Sequence, residues 1–143
     1  MRLLLDTNIV VAALLWSGPP RRLLDMAVDS EMEFFSSPVL IDELADTLRY
    51  PKFAGRIKAF DTRADELVER YAALVSLVTP AAVPRVVAND PADDHVIAAA
   101  VAARVGLIVS GDRKHLLPIG SHQGIAIVTA VQALETLGVT GRS

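Results

Sequence analysis

The chain has 143 residues, a formal net charge of −3, no cysteine, and 52% hydrophobic against 22% charged residues. Those values predict one compact domain over residues 1–143 and exclude a disordered chain, a disulfide scaffold and a thiolate metal site. The acidic balance also argues against a protein that holds nucleic acid by net charge alone.

The longest apolar runs, Ile9–Trp16 and Val96–Ala103, have eight residues each, far short of the roughly 20 needed to span a bilayer. One Arg and three leucines before Asp6 are too few for a signal-peptide core, so a cytoplasmic location without membrane contact is expected. Arg2–Leu5 reads as a first strand and Ile9–Trp16 as a buried helix stopped by Ser17, Gly18, Pro19 and Pro20. A helix from Pro20 to about Val28 follows, then a short strand over Glu33–Phe35. Ser37 as N-cap and Pro38 at the first helical position start a helix that Pro51 ends.

Phe53–Phe60 has a weak helical pattern. Thr62 is expected to cap a stronger helix reaching Leu77, with Leu67, Val68, Tyr71, Leu74 and Val75 as its apolar stripe. The proline-rich stretch from Pro80 to Pro91 reads as a connection. Asp93 or Asp94 then begins an Ala-rich helix to Arg104, with Gly106 as its stop. Leu107–Ser110 and Ala126–Val128 are strands, and Thr129 with Gln132 forms a capping box for a last helix that Gly138 ends. Short apolar strands alternating with helices predict an α/β class with a parallel sheet covered on both faces.

In such a sheet, ligands bind beyond the carboxyl ends of the strands. The first strand ends in Asp6, Thr7 and Asn8, and the strand from Leu107 ends in Ser110, Gly111 and Asp112. Glu43 lies beside the apolar stripe of its helix, and Asp94 falls in a first turn, where the helix dipole favours negative charge. Asp6, Glu43, Asp94 and Asp112 are therefore expected to converge as an all-oxygen ligand set for Mg²⁺ or Mn²⁺. Gathered carboxylates repel one another, and a cation removes that cost while assisting phosphodiester hydrolysis. Each residue also has a plainer role: Asp6 or Asp112 as a turn residue, Glu43 as a solvated side chain, Asp90, Asp93 or Asp94 as the N-cap of the Ala-rich helix, and Asn8 as the cap of the first helix. His95 and His115 are single histidines without zinc-site spacing. Arg49, Lys52, Arg56 and Lys58 fall within ten residues, and Arg113 and Lys114 follow Asp112 directly. Each basic group is either a solvated face or a grip for phosphate.

Leu3 to Asn8, Leu40 to Leu44, Asp94 to Ala100 and Val109 to Asp112 together resemble the motifs of the PIN-domain family, in that family's order. The resemblance spans Arg2 to about Leu137 and is nearest to the small VapC-like ribonucleases regarded as toxins of toxin–antitoxin pairs. It implies a three-layer α/β/α sandwich and a Mg²⁺- or Mn²⁺-dependent ribonuclease. It places Asp6, Glu43, Asp94 and Asp112 at the family's acidic positions, with Asp93 able to share or take the third. Asn8 and Ser110 match accessory polar positions, and Arg113 or Lys114 is expected to contact phosphate. A homodimer with a cognate antitoxin partner and an RNA substrate is also implied.

Two alternatives come from other classes. A haloacid-dehalogenase-like phosphatase needs a second Asp where Asn8 stands. A PIN-fold scaffold that binds RNA or protein without cutting needs none of the four acids, yet all four positions are filled.

Overall fold

The computed structural model describes residues 1–27, 32–81 and 91–138. Its strands are β1 (Arg2–Leu5), β2 (Glu33–Ser36), β3 (Ser76–Leu77), β4 (Leu107–Val109), β5 (Ser121–His122) and β6 (Ile125–Val128). Its helices are α1 (Thr7–Leu15), α2 (Pro19–Met26), α3 (Pro38–Leu48), α4 (Pro51–Ala59), α5 (Ala64–Leu74), α6 (Pro91–Ala103) and α7 (Ala130–Thr136). The strands form one sheet in the order β3-β2-β1-β4-β6-β5. All neighbouring pairs are parallel except the edge pair β5–β6.

The central strands are apolar throughout because both of their faces are covered. Leu3, Leu5, Leu107 and Val109 turn one way, into a core with Val10 of α1, Leu23 of α2, Leu44 of α3 and Leu134 of α7. Leu4, Ile108 and Ile127 turn the other way, against Val96, Ile97 and Ala100 of α6. This is the expected three-layer arrangement. Each fully buried leucine or isoleucine adds about 1.5–3 kcal/mol of transfer free energy.

Local signals start two helices as expected: Ser37 Oγ accepts from the Leu40 N–H at 3.3 Å to cap α3, and Thr129 with Gln132 closes a capping box on α7. The first helix starts earlier than the expected Ile9, at Thr7, and Asp6 rather than Asn8 caps it. Several boundaries differ from the sequence reading. The helix expected to run from Thr62 to Leu77 is capped by Arg63 and stops at Leu74, and Ser76–Leu77 pairs with β2 as a strand. Backbone pairing at an open sheet edge wins there over the helical periodicity. Pro51 opens α4 rather than only ending α3, since a first-turn proline has no N–H to lose.

The Ala-rich helix begins at Pro91 rather than at Asp93 or Asp94, and both acids lie in its first turn, as expected for Asp94. It ends with Arg104 at φ 56°, not at Gly106. Gly106 serves a different purpose: a Cβ there would stand 3.2 Å from Met1 Sδ, where the Gly106 N–H donates to the Arg2 carbonyl at 2.9 Å. The two-residue β5 carried no alternating pattern to read. Most of the expected Pro80–Pro91 connection, residues 82–90, and Val28 lie outside the described residues.

Tyr71 of α5 is 1% exposed, and its hydroxyl makes no hydrogen bond among the described residues. Burial pushes its phenol above the usual range, so it stays neutral. A buried hydroxyl without a partner costs desolvation that phenylalanine avoids. Tyr71→Phe is therefore expected to leave stability unchanged or raise it by about 1 kcal/mol, read by urea denaturation. A loss of that size or more would show that the hydroxyl is well served.

Candidate active site

β1 and β4 are parallel neighbours in the register Leu5↔Val109. The chain leaves β1 toward β2 on one side and has β4 on the other, so the sheet order reverses at this pair. A crevice at such a reversal, outside the carboxyl ends, is where open α/β sheets bind ligands. The residue following each paired position is polar: Asp6 after Leu5 and Ser110 after Val109. Backbone bonds seat both, from the Asp6 N–H to the Val109 carbonyl and from the Ser110 N–H to the Val128 carbonyl, each at 2.9 Å.

Asp6 is 5% exposed, and both of its oxygens are engaged. Oδ1 accepts from the Thr7 N–H at 2.8 Å, and Oδ2 accepts from Ser110 Oγ at 2.9 Å. The positive end of α1 thus meets a buried carboxylate. Ser110 is wholly buried, and its Oγ also accepts from the Asp112 N–H at 3.0 Å. One hydroxyl ties the ends of both strands together.

Asp112 is half-buried, and its Oδ1 accepts from the Lys114 and His115 N–H groups at 3.0 Å each. Burial pushes its carboxyl upward. The His115 amide, a side-chain hydrogen bond with Asp93, the Lys114 amide and the charge of His115 outweigh that, holding Asp112 below the usual carboxylate range. The turn role and the site role therefore coexist in one residue. Asp93 and Asp94 are 7% and 1% exposed in the first turn of α6, where helix N–H groups and dipole suit negative charge. Hydrogen bonding thus joins Asp6, Ser110, Asp112 and Asp93 in one chain, with Asp94 buried next to Asp93.

Glu43 is half-buried on α3, which packs against α1, α5 and α6. Asn8 is exposed in the first turn of α1, and Arg113 and Lys114 are exposed beyond Asp112. Two buried polar groups were given no role in the sequence reading, Thr7 beside Asp6 and Ser36 at the carboxyl end of β2, and the buried Ser37 was read only as a helix cap. The signal for the serines was available, since they end an apolar strand as Asp6 does. His115, set aside as a lone histidine, acts on Asp112 through both its amide and its charge.

The donors present are carboxylate and hydroxyl oxygens, which fit a hard divalent cation rather than a soft one. Among the described residues, however, no group of three or more His, Cys, Asp or Glu side chains is gathered closely enough to hold an ion. The structure links Asp6, Asp112 and Asp93 through hydrogen bonds, but among the described residues the four expected acids do not gather into a ligand shell.

The family model described as PIN domain matches residues 2–114 of the chain. No curated protein matches it.

A carboxyl held low by folding stabilises the native state above its unfolded value and loses that contribution as pH falls through its folded value. Asp112→Asn keeps an oxygen for the two amides and removes the titration. In metal-free buffer, its melting temperature should fall less steeply than wild type from about pH 5 to about pH 3. Parallel curves would mean that folding leaves Asp112 unshifted.

Proposed function

The chain belongs to the PIN domain family, whose members are generally nucleases, and we propose that it is a metal-dependent endoribonuclease acting at the carboxyl ends of β1 and β4. The observation that carries this reading is the Asp6–Ser110–Asp112–Asp93 chain of hydrogen bonds, with Asp94 buried beside it. Family members generally use divalent metal ions, and the ion proposed is Mg²⁺ or Mn²⁺. Asp6, Glu43, Asp94 and Asp112 would hold it, with Asp93 as a further ligand. When bound, the ion activates a water and neutralises charge at the scissile phosphate.

The chain's own residues prepare that chemistry. Ser110 donates to Asp6 Oδ2 and fixes the direction in which the carboxylate's remaining lone pairs point. The amides after Asp112 keep it ionised and therefore able to act as a ligand. Asn8, exposed at the start of α1, would orient a ligand or a water, and the exposed Arg113 and Lys114 would contact phosphate. The resemblance to VapC-like proteins supports the finer proposal: a single domain acting as the toxin of a type II toxin–antitoxin pair. It would work in the cytoplasm as a homodimer restrained by a cognate antitoxin.

The open ligand arrangement favours a second reading, a non-catalytic scaffold that binds RNA or protein. The phosphatase alternative lacks its second Asp, because Asn8 stands there.

The test uses metal-stripped protein, end-labelled RNAs, and Mg²⁺ or Mn²⁺ added back. Cleavage is expected to require metal, to vanish in Asp6→Asn and Asp94→Asn, and to fall about 10–100-fold in Ser110→Ala. Metal at a hundred times its Kd should stabilise the fold by about 2.7 kcal/mol, seen as a rise in Tm. Cutting that survives both Asp substitutions would overturn the site, and RNA binding without cutting in any metal would establish the scaffold.

A further inference from the structure

The basic stretch Arg49, Lys52, Arg56 and Lys58 takes no part in the acidic crevice. It belongs to α4 and its approach, and the chain from Thr47 to Phe60 contains no acidic residue. In the fold this stretch meets the far end of α1. The Arg56 guanidinium lies 5.5 Å from the centroid of the Trp16 ring and 4.9 Å from that of Phe60. Lys52 Nζ is 5.1 Å from the Phe53 centroid, and Phe53 meets Trp16 edge to face at 6.0 Å.

Phe53 is half-buried against the core. The two rings under Arg56 are not core: Trp16 is 43% exposed and Phe60 51%. Arg56 Nε donates to the Leu15 carbonyl at 2.7 Å, which anchors the side chain, and its terminal nitrogens make no hydrogen bond among the described residues. A cleft of about 270 Å³ opens between Trp16, Arg21, Arg56 and Phe60. Ten residues of helical rise put this face roughly 15 Å along α1 from Asp6.

We propose that Trp16, Phe60 and Arg56, with Lys52 beside them, form a docking face for single-stranded RNA, separate from the acidic crevice. The proposal rests on the ribonuclease reading for its choice of polymer. Charge complementarity selects the occupant: an acid-free basic segment suits a phosphate backbone, in a chain whose net charge is negative. Exposed rings interleaved with cations are the surface on which unstacked bases sit, whereas duplex RNA hides its base faces. The crevice is itself lined with carboxylates that repel phosphate until a cation is bound, so attraction supplied elsewhere would recruit the substrate.

Trp16 is the only tryptophan, so its fluorescence reports on this face directly. A short single-stranded oligouridine would be titrated into wild-type protein in EDTA, where metal-dependent cutting cannot intervene. Saturable quenching of Trp16 is expected, with binding weakened about tenfold in both Arg56→Gln and Phe60→Ala. Lys52→Gln should lower the salt slope of log K by about 0.7, and because Lys52 is exposed this variant guards against a folding artefact in the others. Oligouridine should bind more tightly than duplex RNA or inorganic polyphosphate.

Equal affinity for wild type and the three face variants overturns the proposal. So does equal binding of duplex RNA or polyphosphate, or a Trp16 signal that answers only to protein concentration or to an amphipathic peptide. The two readings fail separately: binding here without cutting in any metal sinks the ribonuclease alone, while cutting with unaltered binding by the variants sinks the docking face alone.

Discussion

The parallel pairing of Leu5 with Val109 decides where the chain's polar groups can meet. Residues more than a hundred positions apart are brought level by backbone hydrogen bonds between two apolar strands, and the next residue on each strand is polar. From that level, Ser110 Oγ reaches Asp6 on one side and the Asp112 amide on the other. A slip of one residue in this register would turn each strand's apolar set to the opposite face and separate the pair. The two-sided core prevents such a slip, because Leu4 and Ile108 are committed to α6 while Leu5 and Val109 are committed to α1 and its neighbours.

On this frame the protein carries carboxylates in places where water is scarce. Burial alone would push them toward the protonated form. The fold answers with backbone donors: the Thr7 amide for Asp6, and the Lys114 and His115 amides for Asp112. For Asp112 the donors around it outweigh burial and hold its carboxyl below the usual range. Such a crevice is suited to a divalent cation, and membership of a family of nucleases gives that suitability a chemical purpose.

The two ends of α1 differ in character. Its start holds Asp6 in an acidic, largely buried crevice, and its end carries an exposed tryptophan under the guanidinium of an acid-free basic helix. On the proposed reading, such a separation would let the molecule attract a polyanion at one place and act on it at another. Net charge summed over the whole chain conceals both regions.

Much of the fold was legible along the chain, because its signals are local. Apolar strands, the Ser37–Pro38 helix start and the Thr129–Gln132 box depend on residues within four positions of each other, and the α/β class follows from their alternation. The acids worth considering were also visible, since a carboxylate ending a buried strand costs free energy and invites a reason. Other features were settled only in three dimensions. The helix pattern after Leu74 yielded to pairing with β2, and Gly106 proved to allow a close passage over β1 rather than to end a helix. The side-chain hydrogen bond from Asp93 in the first turn of α6 to Asp112 joins residues nineteen positions apart. The contact of Arg56 with Trp16 joins residues forty positions apart, and no local rule in the sequence contains that distance.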